Sequence, residues 1–151
     1  MAAEASTIHA SAVLVGATAV LIRGPSGSGK SQLAWDLMQA AQQGPLPFAR
    51  LVGDDRVFVE ARAGRLLVRP APALAGLIEI RGLGIRRIDF EPVAAVGWVF
   101  DLGAEDAVRL PADLARKTAV NGVILPRVAV ATGMQALTMV LATLQAIPAG
   151  N

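Results

Sequence analysis

The sequence predicts an α/β domain in which a mixed, strand-rich sheet carries a phosphate-binding loop and is packed by few helices. Three observations predict it. Gly24-Pro25-Ser26-Gly27-Ser28-Gly29-Lys30-Ser31 matches the P-loop pattern G-x-x-x-x-G-K-[ST] at every fixed position. A buried-strand type of run, Ala19 to Arg23, leads into this loop, and Gln32 to Met38 reads as a helix leading out of it. The remainder reads mostly as strands, without the regular strand–helix alternation of a doubly wound sheet.

The loop has a physical meaning in that setting. Its glycines let the backbone curl with the N–H groups pointing inward, and the following helix N-terminus adds partial positive charge. Lys30 can then reach terminal phosphates, and the Ser31 hydroxyl can ligand Mg²⁺. A Gly/Ser-rich turn that happens to contain a lysine is the bland alternative, but loop, strand and helix agree. The reading is a nucleotide or polyphosphate site.

Taken in order, Ala12 to Val15 and Ala19 to Arg23 flank Gly16-Ala17-Thr18 as a hairpin entering the loop. A helix runs from about Lys30 to Gln43, with Leu33, Leu37, Met38 and Ala41 as its apolar stripe, and Gly44-Pro45 stops it. Leu51 to Gly53 and Arg56 to Val59 are extended around Asp54-Asp55, and Gly64 turns the chain into the hairpin partner Arg65 to Val68. Pro70 and Pro72 mark a loop before the strand-like Leu77 to Ile80. Val93 to Phe100 is an unbroken apolar run of the fully buried kind. Pro111 to Leu114 opens a short helix, and Val123 to Leu125 and Val128 to Val130 are short strands. Gly133 precedes a last helix lined by Ala136, Leu137, Val140, Leu141 and Leu144.

At 151 residues the chain fits one domain, residues 1–151, with no repeat or linker. Apolar residues are 54% and charged ones 17%, so much of the chain is expected in a core or an assembly contact. No Tyr, two Trp and four Phe argue against stacking platforms for single-stranded nucleic acid, and the net charge of +2 comes from scattered arginines. Without cysteine there is no disulfide, thiolate nucleophile or cysteine metal site. No apolar stretch is long enough to span a bilayer, and Met1 to Ala10 lacks the form of an export signal. The expectation is a cytoplasmic protein.

Phosphoryl transfer also needs a metal carboxylate and a group that activates the nucleophile. Asp54 and Asp55 are candidates, since a carboxylate pair between apolar strands is costly without a compensating role. Neighbours on an extended chain point to opposite sides, so the two need not share a job; a solvated turn is the alternative. Glu79 and Arg81, two apart, project from one face if extended, as a Mg²⁺ ligand with a phosphate contact or as an exposed ion pair. His9, the sole histidine, either borders the phosphates or is a surface residue. Arg109 either stabilises charge or is solvated.

These pieces resemble one family. His9, the loop Gly24 to Ser31, Leu51-Val52-Gly53-Asp54-Asp55-Arg56-Val57 and Ile78-Glu79-Ile80-Arg81-Gly82-Leu83-Gly84-Ile85 follow the order found in the catalytic domain of HPr kinase/phosphorylase. The resemblance covers roughly residues 6 to 130. It implies a bacterial, ATP- and Mg²⁺-dependent protein-serine kinase acting on the phosphocarrier HPr of the sugar phosphotransferase system. It also implies phosphorolysis of phosphoserine-HPr, a fold related to phosphoenolpyruvate carboxykinase, and a homo-oligomer, a hexamer in the family. Carried over by position, Asp55 matches the base at the substrate serine, and Ser31 and Glu79 match the Mg²⁺ ligands, with Asp54 nearby. Lys30, His9 and Arg109 match the remaining active-site positions.

The chain departs from the pattern in two ways. Full-length family members carry a separate N-terminal domain, whereas here the kinase part is expected to start almost at Met1. Its basic, proline-containing loop, linked to dephosphorylation, corresponds to Val130-Ala131-Thr132-Gly133, which has neither feature; Arg127 is the nearest substitute cation. The expected activity therefore runs mainly in the kinase direction. An ATP-binding regulatory module without catalysis and a small-molecule kinase on the same core are the alternatives.

Overall fold

A computed structural model describes residues 5–108 and 112–146. Arg109 and the first residues of the expected helix from Pro111 lie outside the described residues. In chain order the elements are β1 (Ala5–Val15), β2 (Thr18–Arg23), α1 (Lys30–Gln42), β3 (Ala49–Gly53), β4 (Arg56–Arg62), β5 (Arg65–Pro70), β6 (Leu77–Ile80) and β7 (Gly84–Arg87). Then follow β8 (Ala94–Leu102), β9 (Lys117–Val120), β10 (Val123–Val130) and α2 (Ala136–Gln145), with single 3₁₀ turns at Pro72–Leu74 and Asp113–Arg116.

The sheet is mixed, as expected. Its order is β2-β1-β4-β5-β8-β10-β9, with β3 also on β1, and β2 additionally pairs β8. That extra pairing closes β1, β2, β8, β5 and β4 into a ring. Side chains alternate across the strands with period two. Leu21, Val57, Val59, Leu66, Val68 and Val99 pack one core inside the ring. Val13, Val20, Ile22, Leu51 and Phe100 face outward to α1 and α2, meeting Leu33, Leu37 and Val140. Two cores on the two faces of one sheet account for the high apolar content.

Several element bounds differ from the sequence reading, each for a local reason. The first strand begins at Ala5 rather than Ala12; Ser6, Thr7 and His9 are exposed, so this part of it carries no apolar run to mark it. Its Ala5–His9 part pairs β4 antiparallel and its Ala12–Val15 part pairs β3. β3 and β4 are thus one long strand interrupted at Asp54-Asp55. The two short strands at Val123 and Val128 are a single strand that changes partner at Pro126, from β9 to β8. Proline lacks the N–H that continuous pairing demands, so it fits such a changeover. β9 was overlooked although Asn121-Gly122, both with left-handed φ (48° and 79°), is a strong hairpin signal. In the expected buried run, the register slips at Gly97, where a Cβ would stand 2.5 Å from Thr18 Oγ1.

Three strands matter most for the site. β2, β8 and β10 run parallel, so their C-terminal ends, Arg23, Leu102 and Val130, come to one edge. Ligands of α/β sheets bind in the crevice beyond such ends.

Candidate active site

The phosphate loop leaves β2 at Gly24 and enters α1 at Lys30. Gly27 and Gly29 adopt φ of 80° and 100°, the left-handed region that favours glycine, and Gly29 is the residue before the first helical turn. A Cβ at Gly24 would lie 2.5 Å from Ser28 Oγ and 2.9 Å from the Leu102 carbonyl, so only glycine closes the loop against β8. Lys30 is only 9% exposed, and its ammonium donates to the carbonyls of Gly24 (2.8 Å) and Pro25 (3.3 Å). These carbonyls occupy donors that a polyphosphate would otherwise engage. In the same loop Ser28 Oγ is buried without a hydrogen-bond partner among the described residues. An orphaned hydroxyl, a buried ammonium and a cradle that a Cβ would fill are a setting suited to a phosphate group.

A carboxylate cluster sits beside the loop. Asp54, 4% exposed, accepts hydrogen bonds from Ser11 Oγ (2.6 Å), from Ser31 Oγ at both oxygens (2.8 Å each), and from the Glu79 amide (3.1 Å). Three donors, with the single Ser31 hydroxyl placed between both oxygens, satisfy a buried charge that would otherwise be expensive. The bonds also tie β1, α1, the β3–β4 join and β6 together at one point. The Arg56 amide donates to the Asp54 carbonyl (2.7 Å), leaving Asp55 central in a tight three-residue turn with φ of 68°. Asp55 is consequently turned outward and exposed.

His9 and Arg56 face each other across β1 and β4, with Arg56 Nη2 donating to His9 Nε2 (3.0 Å). That bond requires the neutral imidazole with its proton on Nδ1. Asp55 lies next to this pair in the chain, and its carbonyl accepts from the Ala10 amide (3.1 Å). Structure thus groups Ser31, Asp54 and the Glu79 backbone by direct bonds, with Lys30 adjacent to Ser31 and Asp55 adjacent to Asp54. The Glu79 side chain is exposed. It does not share a strand face with Arg81, because β6 ends at Ile80 and Arg81-Gly82 form the turn into β7, closed by Leu83 N–H to Ile80 O (2.9 Å). Among the described residues no three His, Cys, Asp or Glu side chains are grouped to hold a metal by themselves. Mg²⁺ keeps several waters and shares phosphate oxygens, so a Ser31 hydroxyl with one or two carboxylates fits its habit.

Sequence reading missed two features. Ser11 is fully buried between two alanines, and a polar residue inside a buried strand was the available signal. A charge network also binds the ends of the three parallel strands. Arg23 clasps Asp101 through Nε (2.7 Å) and Nη2 (2.8 Å), and Arg127 Nε donates to Asp101 (2.5 Å). Arg127 further donates to both Asp106 oxygens (2.8 and 3.0 Å) and to the Ala115 carbonyl (2.9 Å). Burial pushes the Asp101 carboxyl up, but hydrogen bonds from Arg23 and Arg127 outweigh it and hold it below its ordinary value. Asp106, then Asp101, raises Arg127 further. Arg127 is therefore committed to structure and is not the spare cation that its sequence position suggested.

A cavity of about 300 Å³ lies between Pro25–Ser28 and the Val130–Gly133 segment, with Leu102 and Gly103 at its base. The segment compared with the family's basic loop thus faces the phosphate loop directly, and it brings no charge there.

Residues 1–93 match the family described as HPr Serine kinase C-terminal domain. HPr kinase/phosphorylase of Streptococcus thermophilus is 43% identical over 84 residues, 55% of this chain and 25% of that protein. That of Lactococcus lactis is 40% identical over 100 residues, 66% of this chain and 29% of that protein. The chain therefore spans about a quarter of the length of these curated relatives. Among solved structures, the Hpr(Ser) kinase/phosphatase from Coxiella burnetii shares the fold, with TM-score 0.72 at 23% identity, covering 92% of this chain and 93% of that one. The loop, the aspartate pair and the Glu79 hairpin all fall inside the matched residues, and the chain belongs to the HPr serine kinase C-terminal domain family.

Proposed function

We propose that this chain is an ATP- and Mg²⁺-dependent protein-serine kinase acting on an HPr-type phosphocarrier. The observation that carries the reading is the direct bond between the phosphate loop and the aspartate pair, Ser31 Oγ to Asp54 at 2.8 Å. A loop that only stored nucleotide has no need of an acceptor-activating carboxylate beside it, whereas Asp55 stands next in the chain and faces outward. Family membership supports the same reading.

The residues have separable tasks. Loop amides and Lys30 hold the phosphates. Ser31, with Asp54 and Glu79, would hold the metal. Asp55 takes the proton from the acceptor serine hydroxyl as the serine oxygen attacks the terminal phosphorus, and ADP leaves. Bound Mg²⁺-ATP supplies the phosphoryl group with part of its charge neutralised. His9 and Arg56 border the acceptor side of Asp55. Membership in a family of soluble enzymes supports a cytoplasmic setting, and among the described residues no helix is long and apolar enough to cross a membrane.

The test is to incubate the purified chain with ATP, Mg²⁺ and the host's HPr proteins and follow phosphate by mass. Phosphorylation of a carrier serine is the expected result. Nucleotide binding with no transfer to any carrier overturns the kinase reading in favour of a regulatory module or a small-molecule acceptor.

A further inference from the structure

Ser11 is fully buried on the outward face of β1 that it shares with Val13, while its neighbours Ala10 and Ala12 pack inside the ring. A hydroxyl in such a place is unfavourable unless its hydrogen bonds are made. Both of its bonds go to the aspartate pair: Oγ donates to the Asp54 carboxylate (2.6 Å) and accepts from the Asp55 amide (3.4 Å). We infer that Ser11 is a positioning residue for the proposed phosphoryl transfer, its hydroxyl spanning the Asp54–Asp55 turn and setting the aim of both carboxylates at once. The inference rests on the kinase reading for its kinetic consequence but not for its structural one.

The turn needs such a brace. A three-residue turn with a left-handed non-glycine centre is a strained conformation that persists only where surroundings over-determine it. Here the surroundings are the Ala10 amide on the Asp55 carbonyl (3.1 Å), the Arg56 amide on the Asp54 carbonyl (2.7 Å), and Ser11. Among the described residues, Ser11 is the side chain that bonds both the Asp54 carboxylate and the Asp55 amide. Ser31 and the Glu79 amide fix Asp54 from the loop side, so Asp54 keeps partners when Ser11 is lost, whereas the Asp55 amide loses its hydrogen bond to Oγ.

The experiment compares wild type, Ser11→Ala and Ser11→Thr by amide hydrogen exchange in the absence of nucleotide, thermal midpoint, and ATP kinetics with an HPr acceptor. In Ser11→Ala, exchange at Asp55 should quicken while amides of β4 and β5 keep their protection, and kcat should fall on the order of 10-fold to 100-fold with KM for ATP nearly unchanged. Ser11→Thr, which restores the hydroxyl, should recover both. A Ser11→Ala protein with wild-type kcat, or with unaltered Asp55 exchange, overturns the inference. So does equal loss of protection throughout β4 and β5, which marks ordinary core packing. Where Ser11→Ala does not fold, an unprotected Asp55 amide in wild type overturns the inference, and protection retained in Ser11→Thr upholds it. A wild type that phosphorylates no carrier overturns the kinase reading instead, and the exchange comparison then decides on Ser11 alone.

Discussion

Lys30, Asp54 and Asp55 are charged residues with three different environments, and the difference supports the tasks proposed for them. Lys30 is buried against loop carbonyls, which are weak partners for an ammonium and are readily exchanged for phosphate oxygens. Asp54 is buried and saturated with donors, so it suits a fixed role as a charge that orients Ser31 and a metal. Asp55 is exposed and can exchange protons with an incoming hydroxyl. Asp55→Asn should therefore cut serine phosphorylation at least about 100-fold, the usual worth of a general base, while nucleotide binding measured by calorimetry persists. Glu79→Gln should lower kcat more than nucleotide affinity, because the loop amides and Lys30 still hold the phosphates. Loss of nucleotide affinity with kcat unchanged would place Glu79 in nucleotide binding alone.

At the scale of elements, the parallel strands β2, β8 and β10 are clamped together by Arg23, Asp101 and Arg127. Asp101→Asn leaves two guanidiniums without their shared carboxylate, at a cost of about 2 kcal/mol, readable as a lower denaturation midpoint in urea. The pH dependence has a definite sign. The folded carboxyl of Asp101 is held below its ordinary value of 3.8, so its contribution is complete above that pH in wild type. It is lost as pH falls further and the carboxyl protonates in the folded protein. The difference in midpoint between wild type and Asp101→Asn should thus be constant near neutrality and shrink in acid below about pH 4. The bulge at Gly97 offers a separate check. A side chain there meets Thr18, and Gly97→Val should destabilise by about 1–3 kcal/mol through overpacking, against little effect for Gly82→Ala's open surroundings beyond backbone strain.

For the whole molecule, the proposed direction of catalysis rests on what surrounds the cavity. Phosphorolysis brings inorganic phosphate in line with phosphoserine, a strongly anionic arrangement that favours extra cations. The Val130–Gly133 segment supplies none, and Arg127 is held by two carboxylates. Pyrophosphate release from phosphoserine-HPr with added phosphate should accordingly run well below the forward rate, compared in one preparation by mass and by pyrophosphate assay. Reverse turnover as fast as the forward reaction would show that this segment is dispensable.

The phosphate loop, its strand and its helix were legible from sequence because they depend on contiguous residues: glycine freedom, an apolar run and a helical stripe act within a few positions. The mixed sheet was legible in outline, since the absence of strand–helix alternation is itself a local pattern. Partner choice was not. That β1 divides between β3 and β4, that β10 changes neighbours at Pro126, and that β2 closes onto β8 depend on which apolar faces meet across the chain. The site followed the same division. Residue types marked Ser31, Asp54 and Asp55 as candidates, but only the folded chain joins Ser11, Ser31, Asp54 and the Glu79 amide, residues as much as 68 positions apart. Hydrogen bonds between buried groups are decided by packing, and packing is a property of the whole fold.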